Sequence, residues 1–340
     1  MAIRVPDGYP GSQERRLLPV NNPSKPATFL SNGAQGLCAE LARRIASLIG
    51  SAENRATEIP GLTLYRRTAP TSPAPVTYEP SVAVVAQGRK RVDLGGMTFI
   101  YGESRFLLTS VDLPVVSQVI EASEQLPYLC LRFKFGMSVL RELLSLGEIP
   151  MSEMPSQNAG MSTAEASPEF LSAFCRLLDL LNTPRDIPFL GPLIQREIIY
   201  RILRSAEGQR LRAIATLGDQ SHRTAKAIAW IRSNYAKALC VENLAEMAGM
   251  GVSTLHHHFR ALTAMSPLQY QKQLRLHAAR QRMLLDGLDA ASAAFEVGYE
   301  SASQFNREYS RLFGQPPMRD VRTLRSPGAP SLESVNSAFR

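Results

Sequence analysis

The strongest constraint on the fold is a pattern of apolar residues that occurs twice, fifty residues apart. The first copy is Leu255, Phe259, Leu262 and Pro267, and the second is Phe305, Tyr309, Leu312 and Pro317. Within each copy the first three residues follow the spacing i, i+4, i+7, which places them on one face of a helix. Each copy therefore predicts a helix that is buried on one side and presents polar side chains on the other.

A short helix and a glycine-containing turn are predicted before each of these helices. The first pair is a helix over Val241–Ala248 with the turn Gly249-Met250-Gly251, and the second is Ala290–Val297 with Gly298-Tyr299-Glu300. Two helices joined by a short turn with glycine form a helix-turn-helix. We therefore predict two such motifs, over residues 241–262 and 290–313, that contact double-stranded DNA at two places.

The segment between the motifs is predicted to be one rigid helix. It starts at Pro267, a favourable first helical residue, and has no glycine or second proline before Leu285. Nineteen helical residues span about 28 Å. Adjacent major-groove faces on one side of B-DNA lie about 34 Å apart. A rod of this length holds two recognition helices near that separation.

The polar faces of the two recognition helices supply the candidate DNA-binding residues. They are Ser253, Thr254, His256, His257 and Arg260 in the first motif, and Ser301, Ser303, Gln304, Asn306 and Arg307 in the second. Arginine makes two hydrogen bonds to guanine, so Arg307 is the strongest candidate for base recognition. Arg275, Arg280 and Arg282 are candidates for phosphate contacts, which position a protein without specifying sequence.

Charge and histidine usage separate the C-terminal part from the rest. Residues 222–340 carry a net charge of +6 and residues 1–221 only +2, which fits a nucleic-acid-binding module beside a nearly neutral one. The first 221 residues contain no histidine, which excludes His-dependent nucleophilic and metal sites there. The run His256-His257-His258 predicts no metal site, because consecutive helical side chains point about 100° apart. We predict no catalytic residue, no cofactor and no metal.

Four dispersed cysteines without a CxxC pair predict neither disulfides nor structural zinc and fit a reducing cytoplasm. No apolar run approaches the roughly 18 residues of a membrane helix, and the N-terminus lacks the apolar core of a signal peptide. We therefore expect a cytoplasmic protein with no membrane partner.

The N-terminal two thirds predict a β-rich domain followed by helices. Residues 1–35 are expected to be a flexible arm. Seven short β-rich runs separated by turns predict a small antiparallel barrel or sandwich; they are Leu62–Arg67, Ser81–Gln87, Arg89–Leu94, Met97–Tyr101, Arg105–Thr109, Val115–Ile120 and Tyr128–Phe135. Residues 150–168 are expected to be a loop. Two amphipathic helices between residues 170 and 204 predict a hairpin that packs on the barrel or on a second copy.

Two local features of the predicted barrel each allow two interpretations. Arg89-Lys90-Arg91 is interpreted as a solvated hairpin, with contact to a partner or an anionic effector as the alternative. Cys130 is expected to be a buried, inert thiol rather than a reactive sensor.

The C-terminal residues 225–322 resemble the DNA-binding domain of the AraC/XylS family. The resemblance is carried by the second motif, Ala294-Phe295-Glu296-Val297-Gly298-Tyr299-Glu300-Ser301, then Gln304-Phe305, Arg307, Tyr309, Leu312-Phe313-Gly314 and Pro316-Pro317. Residues 60–145 resemble the N-terminal domain of one AraC subgroup through Pro80-Ser81-Val82, Gln87-Gly88-Arg89-Lys90, Tyr101-Gly102, Asp112-Leu113-Pro114-Val115 and Leu126-Pro127-Tyr128-Leu129.

The resemblance implies an α+β multidomain protein with an N-terminal cupin-like antiparallel β-barrel, a helical hairpin and a C-terminal all-α double helix-turn-helix domain. The domains expected are an effector domain over 36–150, a dimerisation region over 151–215, a linker over 216–222, a DNA-binding domain over 223–325 and a flexible tail over 326–340. The subgroup pattern has arginine where this chain has His257. Histidine offers at most one donor to a base edge, and its charge depends on pH, so we expect an altered preference in the first groove.

The function implied is sequence-specific transcription regulation by a homodimer that responds to a small-molecule effector in the barrel, with RNA polymerase as a partner if it activates. We assign no residues to the effector pocket. One alternative is a ligand-independent regulator controlled by abundance or by a protein partner. A second is an enzyme with a DNA-binding tail, which the missing histidines disfavour.

Overall fold

A computed structural model describes residues 32–147, 149 and 159–325. The predicted tail over 326–340 and residues 1–31 of the predicted arm lie outside this range. Residues 32–35 of that arm belong instead to the first helix. The strands described are β1 (Asn54–Ala56), β2 (Leu62–Arg67), β3 (Ala74–Tyr78), β4 (Ser81–Gln87), β5 (Arg89–Leu94), β6 (Met97–Gly102), β7 (Arg105–Thr109), β8 (Leu113–Glu121), β9 (Tyr128–Lys134) and β10 (Met161–Glu165).

These strands form two antiparallel sheets with the orders β1-β2-β9-β4-β7-β10 and β3-β8-β5-β6. The N-terminal domain is thus a two-sheet antiparallel β-barrel, as predicted. Gly88 joins β4 to β5 with φ of 82°, in the left-handed region that favours glycine. A Cβ at this position would lie 2.6 Å from the carbonyl oxygen of Glu121, so the turn also requires a residue without a side chain.

Residues 150–158 of the loop predicted over 150–168 lie outside the described residues, and the prediction is wrong for residues 161–165. They form β10, which pairs with β7 in the register Met161↔Thr109, although its sequence has little apolar alternation. Strand β3 was also missed, because prolines at 73 and 75 argue against a strand. Its place at the edge of the four-stranded sheet explains how it tolerates proline.

Five helices accompany the barrel: α1 (Asn32–Ile49), α2 (Met137–Ser145), α3 (Pro168–Asp179), α4 (Ile187–Arg204) and α5 (Gly208–Ala215). Side chains from α1 and α3, such as Leu41, Phe170 and Phe174, share one buried core with Val82 and Val84 on the outer face of the six-stranded sheet. The predicted helical hairpin therefore packs on the barrel. The opposite side of α4 leaves large apolar side chains exposed: Phe189, Leu190, Leu193 and Tyr200.

The C-terminal part is helical: α6 (Gln220–Ser233), α7 (Val241–Ala248), α8 (Val252–Thr263), α9 (Pro267–Leu285), α10 (Ala290–Glu296), α11 (Ala302–Phe313) and α12 (Pro317–Arg325). The pairs α7–α8 and α10–α11 are the two predicted helix-turn-helix motifs, and α9 joins them as one helix of 19 residues. A reciprocal capping box between Ser266 and Gln269 fixes the start of α9. The expected linker over 216–222 is shorter than predicted, since α6 begins at Gln220.

None of the helices in the described ranges is long and apolar enough to span a membrane.

Candidate nucleic-acid interface

The first motif buries its apolar stripe and exposes its polar one. Helix α7 ends at Gly249, whose left-handed backbone (φ 66°) turns the chain into α8. Leu255, Phe259 and Leu262 of α8 are buried. The predicted DNA-contacting residues on this helix are all exposed: Ser253, Thr254, His256, His257 and Arg260.

The second motif repeats this arrangement. Phe305 and Tyr309 of α11 are fully buried, and the predicted residues Ser301, Ser303, Gln304, Asn306 and Arg307 are exposed. Two of these side chains already have partners within the helix. Ser301 caps α11 by accepting a hydrogen bond from the Gln304 backbone nitrogen at 3.3 Å, and the Gln304 amide donates to Glu308 Oε1 at 3.3 Å.

The exposed side chains of α8 line a groove. This groove has a volume of about 500 Å³ and is lined by His256, His257, Arg260, Ser266 and Gln269. His257 also lines a smaller groove of about 240 Å³ that runs toward Arg210 and Asp219. The polar end of α9 thus joins the first recognition helix at one surface. Sequence reasoning did not identify Ser266 and Gln269 as part of this groove, because it placed the start of α9 from Pro267 alone and searched only the recognition helix for exposed polar residues.

The phosphate-contact prediction is wrong for Arg280. Its guanidinium forms a bidentate ion pair with Asp320, at 2.8 and 3.0 Å, and both side chains are buried. Arg275 is also engaged internally, since it donates to the backbone carbonyl oxygens of Tyr235 and Gly298 at 2.7 and 2.8 Å. Arg282 is half exposed and pairs with Asp286, so it is the one of the three that stays on the surface.

The three consecutive histidines lie on α8, where His256 and His257 are exposed and His258 is half-buried. The rings of His257 and His258 meet edge to face with centroids 5.2 Å apart. Among the residues that the structure describes, no group of three or more His, Cys, Asp or Glu side chains is arranged to hold a metal ion.

The helices on either side of the first motif, α6 and α9, are bound to the barrel by polar contacts that the sequence does not reveal. Arg232 of α6 donates to Asp112 Oδ1 at 2.6 Å and to Glu79 Oε1 at 2.7 Å, two carboxylates on barrel loops. The Tyr270 hydroxyl of α9 donates to the backbone oxygen of Asp112 at 2.8 Å. We call Arg232, Glu79, Asp112 and Tyr270 the interdomain latch. Burial raises the pKa of Asp112 even though the Arg232 charge opposes this shift.

Apolar contacts continue across the same boundary. Val92 and Val111 of the barrel belong to one buried core with Ile228 of α6 and Phe259 of α8. The backbone nitrogen of Gly160 donates to the carbonyl oxygen of Leu262 at 2.9 Å. The barrel and the first recognition helix therefore share a continuous packed interior. A change in the packing of one is transmitted to the other.

Comparisons with known proteins agree with this architecture. Residues 58–210 match the family model of the AraC-type transcriptional regulator N-terminus, and residues 244–322 match a helix-turn-helix domain model. The chain is similar to the HTH-type transcriptional activator RhaS of Yersinia pestis (strain Pestoides F), with 30% identity over 105 residues, which is 31% of this chain and 38% of RhaS.

Solved structures share the fold over most of the chain. ToxT from Vibrio cholerae O395 superposes with a TM-score of 0.51 at 9% identity, covering 81% of this chain and 99% of ToxT. Unsaturated fatty acid bound wild-type ToxT from Vibrio cholerae strain SCE256 has a TM-score of 0.50 at 9% identity, covering 79% and 97%. With both domain models matched, in the order barrel and then helix-turn-helix, the chain belongs to the AraC family of transcriptional regulators.

Proposed function

We propose that this protein regulates transcription by binding specific sequences in double-stranded DNA with α8 and α11. The observation that carries the proposal is the repetition of one surface: each recognition helix exposes a polar face, and a single 19-residue helix joins the two motifs. Arg307 is the main base-reading side chain because it is exposed and able to form two hydrogen bonds with guanine.

Selection of bound DNA from a random pool tests this proposal. It should yield a recurring site with two segments about one helical turn apart. Arg307→Ala should then weaken binding by about 1–3 kcal/mol and relax preference at one base pair. Arg311→Ala, an exposed arginine one turn further along the same helix, controls for the lost charge. Equal weakening on specific and random DNA would refute the role given to Arg307.

The barrel is proposed to bind a small-molecule effector that alters the position of the first motif. Support comes from the interdomain latch and the shared core, which connect the barrel interior to α6, α8 and α9. ToxT, which shares the fold, has been solved with an unsaturated fatty acid bound. An effector acts only if it binds two arrangements with different affinity. Repeating the DNA selection with candidate metabolites tests this step, and indifference to all of them would favour regulation by abundance or a protein partner.

The exposed apolar side of α4 is proposed as the homodimer interface. Phe189 is 76% exposed and Leu193 62% exposed, one turn apart on this helix, and apolar side chains clustered on a surface mark contact sites. Leu193→Asp should convert a dimer into a monomer in light scattering, whereas Leu126→Asp, an equally exposed leucine in a barrel loop, should not. A monomeric parent chain at micromolar concentration and above would contradict the proposal.

We further propose that the protein acts in the cytoplasm, and that RNA polymerase is its partner where it activates. The similar protein RhaS is named a transcriptional activator.

A further inference from the structure

The barrel encloses a polar cluster that its DNA-binding role does not use. Lys90, predicted to lie in a solvated hairpin, instead lies on the same face of β5 as the buried Val92 and Leu94. Its ammonium nitrogen lies 5.4 Å from the ring centre of Tyr78. On the neighbouring sheet, the guanidinium of Arg132 lies 5.4 Å from the ring centre of Tyr65. Two cations therefore stack on tyrosine rings inside the barrel.

Two buried hydroxyl groups belong to the same cluster. Tyr101 lies directly opposite Lys90 in the β5–β6 pair and is 1% exposed, and Tyr128 is 2% exposed. Neither hydroxyl has a hydrogen-bond partner among the described residues. Because a buried hydroxyl without a hydrogen-bond partner is unfavourable, an arrangement that leaves two of them in one place points to a ligand.

Lys90 also differs from its neighbours in its lack of a counter-ion. Arg89 pairs with Glu121 and Arg91 with Asp93, whereas no described carboxylate lies within 4.0 Å of the Lys90 ammonium. The alternation of β5 turns Lys90 inward, where its ammonium lies beside the neutral ring of Tyr78.

The protonation states make the cluster cationic at neutral pH. Burial raises the pKa values of Tyr101 and Tyr128 well above the ordinary value of tyrosine. It also raises the pKa of the Cys130 thiol, so all three groups stay neutral. Burial by itself lowers the pKa of Lys90, but Tyr78 and Cys130 outweigh it and leave the pKa above its ordinary value. The ammonium is therefore charged when the tyrosines and the thiol are not.

We propose that the barrel binds a small organic carboxylate, with its charged group at Lys90 and hydrogen bonds from the Tyr101 and Tyr128 hydroxyls. This inference rests on the effector role proposed above and names the class of effector. A carboxylate supplies the acceptors and the negative charge that this cluster lacks. Its apolar body would lie among the valines and leucines that share the barrel interior: Val76, Val85, Val92, Leu107 and Val115.

The site is also placed to influence DNA binding. Tyr78, under the Lys90 ammonium, donates a hydrogen bond to Ser117 Oγ at 2.9 Å. The next residue in the chain, Glu79, accepts a hydrogen bond from Arg232 of the interdomain latch. A ligand that moves Tyr78 therefore moves a residue that holds the first helix-turn-helix motif.

Titration calorimetry and thermal melting of the full chain test the site with four probes. Octanoate and benzoate should bind and raise the melting temperature, and their neutral counterparts octanamide and benzamide should not. Lys90→Met should abolish carboxylate binding. Tyr101→Phe, which removes one oxygen that has no internal partner, should weaken binding about tenfold and raise the melting temperature of the free protein, because it removes an unpaired buried hydroxyl. Arg91→Met, on the outer face of the same strand, should bind normally.

The proposal is overturned if neither carboxylate binds, if the amides bind equally well, or if both variants bind like the parent chain. Its failure is separable from that of the effector role. Carboxylates that bind at Lys90 without changing DNA affinity would leave the site standing and refute the effector role. DNA selection that responds to an uncharged metabolite, with no carboxylate bound, would leave the effector role standing and refute the carboxylate site.

Discussion

The two helix-turn-helix motifs share one fold but differ in what supports them. Residues fifty positions apart correspond, so Phe259 matches Tyr309 and Tyr270 matches Asp320. In the first motif the hydroxyl is on Tyr270 and donates to the barrel, at the Asp112 backbone oxygen. In the second it is on Tyr309 and donates to Asp320 within the motif, at 2.7 Å. The tyrosine hydroxyl therefore bonds to the barrel on the side of the first motif, whereas on the side of the second motif it bonds to a carboxylate within the helical domain.

The apolar cores follow the same division. The core of the first motif is continuous with the barrel interior, while the second has its own core around Phe305, Tyr309 and Met283. Arg280 and Asp320 complete this second core, and the Arg280 guanidinium lies 4.4 Å from the ring centre of Phe313. The comparison indicates that the first motif shares its core with the barrel, whereas the second has a core of its own even though α11 also approaches β3.

The largest expected effect is the loss of the second motif's internal ion pair. Arg280→Met leaves Asp320 buried without its cation, and breaking a buried pair in this way costs about 3–5 kcal/mol. Urea denaturation followed by circular dichroism measures this loss. Arg282→Met, two residues along α9, breaks the half-exposed pair with Asp286 and should cost less than about 1 kcal/mol. Similar losses of unfolding free energy in the two variants would contradict the view that the buried Arg280–Asp320 pair stabilises the second motif.

Acid should weaken the second motif through His277. Burial, and secondarily the charge of Arg280, lowers the pKa of His277 to about 3 in the folded protein, against about 6.5 in the unfolded chain. Between these values the unfolded chain binds more protons, so the stabilisation is complete above about pH 6.5 and decreases as the pH falls toward 3. At pH 5 the loss is about 2 kcal/mol.

The difference between urea midpoints at pH 7.5 and pH 5 measures this effect. His277→Leu cannot bind a proton and should reduce that difference, whereas His256→Gln, at an exposed position, should not. A pH dependence that survives in the His277 variant would show that another group is responsible.

Breaking the interdomain latch should give the next largest loss of stability, and this loss should be confined to the first motif. Arg232→Met removes both ion pairs with the barrel, and because these are partly buried the cost lies at about 1–2 kcal/mol, between exposed and buried pairs. Trp230, the one tryptophan of the chain, packs beside the shared core and reports the change by its fluorescence. Lys226→Met, whose side chain bonds within the motif to the Met247 oxygen, is the control. An unchanged Trp230 spectrum in Arg232→Met would argue that the apolar contacts alone hold the first motif.

The repeated motifs could be predicted closely because their signals are local. The bounds of α7 and α9 follow from apolar spacing, the glycine turn after α7, and the Pro267 start and unbroken run of α9. Lys90 was misplaced because the run of three basic residues was interpreted as a solvated turn, although the alternation of Val92 and Leu94 places Lys90 on the inward face of β5. Arg280 was misassigned because its partner Asp320 is 40 residues away. The latch joins segments 120 or more residues apart, and no local pattern marks such contacts.

The smallest effect concerns the one position where the two DNA-facing surfaces differ most. His257 in the first motif corresponds to Arg307 in the second, so the first presents at most one donor to a base edge and the second presents two. His257→Arg should make the first motif prefer guanine at the base it faces and tighten binding to such sites by about 1 kcal/mol. Arg307→His should weaken the matching preference in the second half of the site. DNA selection with both variants compares the halves directly. If His257→Arg left the selected sequences unchanged while Arg307→His altered them, the first motif would contact the backbone rather than the bases, and the barrel would then regulate affinity for DNA but not the choice of sequence.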